Sequence, residues 1–113
     1  MAKLDPLVRL KHMLDYAREA VEMAEGKRAD DLDLDRKLAL ALTHLVELIG
    51  EAASQVPQEI RNKYPQIPWP KIISMRNRLI HGYDFVDYGI LRDTVAEDLP
   101  SLIRELENIL PTK

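Results

Sequence analysis

The segment Arg36–Gln55, RKLALALTHLVELIGEAASQ, decides the fold. Leu38, Leu42, Leu45, Ile49 and Ala52 recur at helical spacing, and Val46 and Leu48 broaden the apolar face. A face this wide predicts a helix buried on more than one side, as in a bundle that also pairs with a second copy. Ile49-Gly50-Glu51-Ala52 places small residues where another helix can come close. Thr43, His44 and Glu47 interrupt the apolar run, which is too short and too polar for a bilayer span of about 20 apolar residues. His44 is not assigned as a ligand.

Working outward, Lys27–Asp35 reads as a charged connector whose Asp side chains favour the positive end of the following helix. Before it, Asp5-Pro6 is a helix start, an N-cap followed by Pro in the first turn. Leu7, Leu10, Leu14, Ala17, Val21 and Ala24 mark the buried face of that helix, which should stop near Gly26. His12 reads as a surface residue. After Gln55, Pro57 opens a short helix over Gln58–Tyr64. Pro65, Pro68 and Pro70 then enclose Ile67 and Trp69 in an ordered loop. Trp69 is the only Trp, and a packing anchor is its expected role. Pro70 starts the next helix, with Ile72, Met75 and Leu79 inward and Gly82 as its stop. Asp87–Glu97 reads as a helix weakened by Gly89. Asp98-Leu99-Pro100 reads as a kink or a fresh cap before a last amphipathic helix through Leu110. No segment alternates as a strand would. The expected architecture is one all-α domain over residues 1–113, an up-and-down bundle of four to five helices, homodimeric.

The 113 residues contain no Cys and carry a net charge of −3. Disulfides and thiolate metal sites are therefore excluded. The N-terminal Met-Ala-Lys-Leu-Asp-Pro lacks the apolar stretch of a signal peptide, so a cytoplasmic location is the expectation. The charge is unevenly spread. Arg61–Tyr83 holds Arg61, Lys63, Lys71, Arg76 and Arg78 and no Asp or Glu, a local basic patch that can attract a phosphate backbone. A solvated run of surface residues gives the same pattern.

Met75–Tyr83, MRNRLIHGY, gathers the reactive side chains. Histidine is the side chain suited to passing a proton either way near neutral pH, and His81 stands here. Arg76 offers planar, permanently charged donors to a phosphate oxygen, and Asn77 can orient water or a hydroxyl. RNA supplies its own nucleophile, the 2′-hydroxyl, so a site that cuts it needs only a base, an acid and positive charge. Neither a metal nor a protein nucleophile is required. Five residues along an ideal helix amount to about 500°, leaving Arg76 and His81 roughly 140° apart. They converge if the helix unwinds near Gly82, or if a second copy faces the first. A structural C-cap by His81 explains the spacing equally well.

Arg76-Asn77-Arg78-Leu79-Ile80-His81-Gly82-Tyr83 resembles the R-x4-H-x-Y signature of HepT-like toxins, a branch of the HEPN superfamily of α-helical RNases. Ile49-Gly50-Glu51-Ala52, Ile67-Pro68-Trp69 with Ile72 and Met75, and Asp93 with Asp98-Leu99-Pro100 resemble further patterns of that family. Arg92, where many relatives carry an aromatic residue, and Gly89 depart from it. The resemblance implies a homodimeric, metal-independent endoribonuclease without a cofactor, the toxin of a toxin–antitoxin pair, acting on transfer or messenger RNA. Its implied partner is a minimal nucleotidyltransferase of the MntA type. By the same resemblance Arg76 and His81 are catalytic with Asn77 in support, and Tyr83 receives AMP. Arg78, Lys71, Arg61 and Lys63 are the candidate RNA-binding residues. A non-catalytic helical partner of a nucleotidyltransferase is the alternative.

Overall fold

The structure, a computed structural model, describes residues 5–80 and 86–111. It is all-α: among the described residues the only β feature is an isolated antiparallel bridge between Ile80 and Val86. No helix among them is long and apolar enough to cross a membrane.

Helix α1, Pro6–Ala24, begins where the sequence places it, with the Asp5 carboxylate accepting from the Leu7 N–H at 2.9 Å. It buries Leu10, Met13, Leu14, Ala17, Ala20 and Ala24. The stripe runs through Met13 and Ala20, whereas Leu7 in the first turn is exposed. Gly26, at φ +78°, takes the left-handed conformation that ends the helix, and the Lys27 N–H bonds back to the Ala24 carbonyl.

The expected connector is itself partly helical. Helix α2, Ala29–Leu34, forms because Asp31 caps the Arg28 N–H at 2.8 Å and because Leu32 is fully buried. Burying one Leu contributes about 1.5–3 kcal/mol toward holding this charged turn in place. Arg92 donates to the Lys27 carbonyl at 2.6 Å, so this departure from the family pattern fastens the α1–α2 turn to the C-terminal half of the chain.

Helix α3, Arg36–Ser54, is capped by Asp35 and buries Ala39, Leu42, Leu45, Val46, Ile49, Gly50, Ala52 and Ala53. The width of its face is used within the chain, by α1 on one side and by the segments that follow on another. Helix α4, Gln58–Lys63, leads into helix α5, Trp69–Ile73, and helix α6, Met75–Leu79. The expected single helix from Pro70 to Gly82 is thus corrected on three points. It starts one residue earlier, at Trp69. It breaks at Ser74, whose carbonyl accepts from both Asn77 and Arg78 and opens a new turn. It ends at Leu79, with Ile80 already extended at φ −102° and ψ 117°.

The final rod is continuous. Helix α7, Tyr88–Asp93, is capped by Asp87 through the Ile90 N–H at 2.9 Å. Gly89 lies in this first turn, where a helix tolerates it. Thr94–Asp98 is a π-turn that leads straight into helix α8, Leu99–Ile109. Asp98-Leu99-Pro100 is therefore not a fresh cap, since Asp98 has helical dihedrals and its side chain makes no capping hydrogen bond. Pro100 has no N–H to donate, and its ring needs room against the preceding turn. The wider π-turn, closed by the Leu99 N–H on the Thr94 carbonyl, provides that room. The rod's C-terminal half packs on α1, with Leu91, Val95, Leu99, Leu102 and Leu106 inward.

Gly50 sets the distance between α3 and α5. A Cβ built there stands 3.3 Å from the carbonyl oxygens of both Ile72 and Ile73, backbone atoms that cannot swing aside. Gly50→Val is expected to lower stability by about 1–3 kcal/mol through overpacking, read as a lower denaturant midpoint at unchanged slope. An unchanged midpoint would show that α5 is not seated as described.

Candidate active site

The site is built on α6, and α6 is held from both sides. Upstream, Trp69 is 6% exposed and its Nε1 donates to the carbonyls of Arg61 and Tyr64, at 3.2 and 3.1 Å. The expected packing anchor is thereby found, seated at the start of a helix instead of inside a loop. Arg61 in turn donates from Nε to the Val56 carbonyl and from Nη2 to the Ser54 carbonyl. It satisfies the last carbonyl of α3 and that of Val56 just beyond the helix, so its guanidinium is occupied within the chain. Lys63, on the same short helix, is exposed.

Within α6, Met75 and Leu79 are fully buried, which turns Arg76 and Asn77 to the surface. Arg78 points the other way along the rod. Its Nη2 lies 3.2 Å from Asp98 Oδ2, and Lys71 Nζ lies 3.0 Å from Asp98 Oδ1. One carboxylate at the end of the π-turn thus joins α5 and α6 to the C-terminal rod. It is only 17% exposed, so the pair of ion contacts is less screened than a surface pair. Asn77, Arg78, Asp93, Thr94, Glu97 and Asp98 line a shallow depression beside this clamp.

Arg76 has a separate partner. Its Nε donates to Glu47 Oε2 at 3.0 Å, and the other oxygen of Glu47 lies 3.8 Å from His44 Nδ1. His44 is an exposed residue, and His12 sits half-buried beside Tyr16. Of the predicted residues, the structure brings Lys71 and Arg78 together on Asp98 and sets Arg76 and Asn77 side by side facing outward. Arg61 is drawn away to the end of α3.

His81 and Tyr83, with Gly82, lie outside the described residues. Ile80 pairs with Val86, and the Asp87 N–H donates to the Leu79 carbonyl at 2.7 Å. The chain therefore departs from the end of α6 and returns to it. The helix thus ends at Leu79, ahead of Gly82.

Two residues of this site escape the sequence reading. Glu47 is visible there only as an acid interrupting an apolar run, and Asp98 only as part of a Leu-Pro pattern. The misfit of Glu47 between Val46 and Leu48 is a usable signal, whereas nothing local ties Asp98 to Lys71 or Arg78.

Comparison with known proteins identifies the family. Residues 13–109 match the family model described as Ribonuclease HepT-like. A protein of Thermococcus cleftensis named "Probable ribonuclease HepT" is 36% identical over 103 residues, 88% of this chain and 94% of that protein. A "Putative RNase" of Caldanaerobacter subterraneus subsp. tengcongensis is 35% identical over 101 residues, 89% of this chain and 90% of its own length. Another "Putative RNase", from Methanocaldococcus jannaschii, is 33% identical over 110 residues, 97% and 91% of the two chains. No solved structure matches the chain. A family match across nearly the whole bundle, including α6 and the segment after it, means that this chain belongs to the HepT-like ribonucleases.

Proposed function

We propose that this chain is a metal-independent endoribonuclease and the toxin of a toxin–antitoxin pair of the HepT/MntA kind, type VII, working in the cytoplasm as a single-domain homodimer. The observation that carries this reading is the ribonuclease family match over residues 13–109, together with Arg76 and Asn77 turned outward on α6 just ahead of His81.

In this reading the 2′-oxygen attacks the adjacent phosphorus while a base takes its proton. The bond from phosphorus to the 5′-oxygen breaks, and an acid protonates that leaving oxygen. The products are a 2′,3′-cyclic phosphate and a 5′-hydroxyl. His81 supplies the proton transfers, and a cleft shared by two copies offers one His81 for each. Arg76 stabilises the charge on the pentacoordinate phosphate, and Asn77 orients the reacting groups. Leu34 and Leu40 remain exposed, at 88% and 52%, and give a second copy apolar surface to cover. Lys63 is the exposed basic side chain most available to an RNA phosphate. Lys71 and Arg78 add positive field from their clamp on Asp98, and Arg61 adds it from the end of α3.

The partner is a minimal nucleotidyltransferase that adds AMP to Tyr83. A phosphodiester charge and an adenosine next to His81 would repel RNA and fill the cleft.

Two measurements test these parts. In EDTA, wild-type protein is expected to cleave total RNA, whereas His81→Ala and Arg76→Ala lose about 10²–10⁴ in rate and stay folded and dimeric. Full cleavage by a folded His81→Ala would contradict the reading. Incubation with the nucleotidyltransferase and ATP is expected to raise the intact mass by whole AMP units, and to leave Tyr83→Phe unchanged. Equal labelling of both would remove Tyr83 from the account.

A further inference from the structure

Arg76 could meet a carboxylate end-on, through its two terminal nitrogens, or along its side, through Nε. The structure uses Nε: the bond to Glu47 Oε2 at 3.0 Å is made there, and among the described residues neither terminal nitrogen has a hydrogen-bond partner. The guanidinium is thereby fixed at its inner edge, with its outer fork left open by the described residues. An open fork is the part of an arginine that binds two phosphate oxygens at once. Glu47 comes from α3, the most deeply packed helix, and is 33% exposed against 54% for Arg76. The better-held member of the pair is the carboxylate. It is braced between the buried neighbours Val46 and Ile49, while α6, with five residues, is too short to orient a long side chain alone.

We propose that Glu47 is a positioning residue for Arg76: it holds the guanidinium by Nε so that both terminal nitrogens face the RNA phosphate. This role rests on the ribonuclease reading above. It also makes a distinction that a simple charge argument does not. Removing an acid beside the substrate's cationic partner should favour binding of a polyanion, because the field becomes more positive. Losing the orientation of that partner should slow the chemical step, for which a misplacement of about 1 Å costs on the order of 10²-fold.

The test is a kinetic comparison of wild type, Glu47→Gln and Glu47→Ala on one RNA oligonucleotide in EDTA. It is paired with NMR of the Arg76 Nε–H in each protein. Gln keeps an oxygen that accepts from Nε; Ala does not. Glu47→Ala is expected to lower kcat by about 10–100-fold with KM unchanged or lower, and to release the Arg76 Nε–H to fast solvent exchange. Glu47→Gln is expected to keep the slowly exchanging Nε–H and most of kcat. A Glu47→Ala protein that cleaves as fast as wild type, or faster, would show Glu47 to be a competitor of the phosphate and overturn the proposal. So would loss of kcat in the Gln variant equal to that in Ala. If wild type cleaves nothing although its Arg76 Nε–H is held, the ribonuclease reading fails and this role falls with it, while the contact itself stands.

Discussion

The arrangement depends on how closely α5 and α6 can lie on α3. Gly50 allows that approach, because the carbonyls of Ile72 and Ile73 occupy the space a side chain would need. With the two segments pressed onto α3, Ile72, Met75 and Leu79 reach the core, and the opposite side of α6 faces out. The same contact brings Arg76 within reach of Glu47, one turn before Gly50 on α3. A helix that is short, broken at Ser74 and ended at Leu79 has little stability of its own. Its position comes from tertiary packing, from the Trp69 anchor upstream and from the Asp98 clamp on the other side.

Charge follows the same division of labour. The window Arg61–Tyr83 is purely basic in sequence, yet in the fold most of its cations meet an oxygen from elsewhere in the chain. Arg61 closes the carbonyls at the end of α3, Lys71 and Arg78 share Asp98, and Arg76 is held by Glu47. The patch is therefore less positive than its composition suggests, and its geometry is more fixed. For the proposed contact of one guanidinium with one phosphate, fixed direction is worth more than raw charge.

The helices α1 and α3 were legible because their signals are local: Asp5-Pro6 caps, Gly26 stops, and long apolar stripes at helical spacing. The family resemblance was legible too, because its motif lies in one contiguous stretch. What the sequence did not reveal depends on distant partners. α2 exists because Leu32 finds a buried seat, a fact no charged connector announces. The π-turn exists because Pro100 needs room in a rod that the rest of the fold keeps continuous. The wide face of α3 suggested a second copy, but α1 on one side and α5–α6 on another fill much of it. Glu47 and Asp98 became visible only when packing set them beside cations 29 and 20 residues away.

The central claim is that this site cuts RNA with the RNA's own 2′-hydroxyl. The direct measurement is the chemistry of the ends, read by mass spectrometry after the purified protein has acted on a defined RNA in EDTA. The account predicts 2′,3′-cyclic phosphate on one fragment and 5′-hydroxyl on the other, with no cleavage where the nucleotide 5′ to the scissile phosphate is 2′-deoxy. Fragments ending in 5′-phosphate and 3′-hydroxyl, or cleavage that survives the 2′-deoxy substitution, would contradict it.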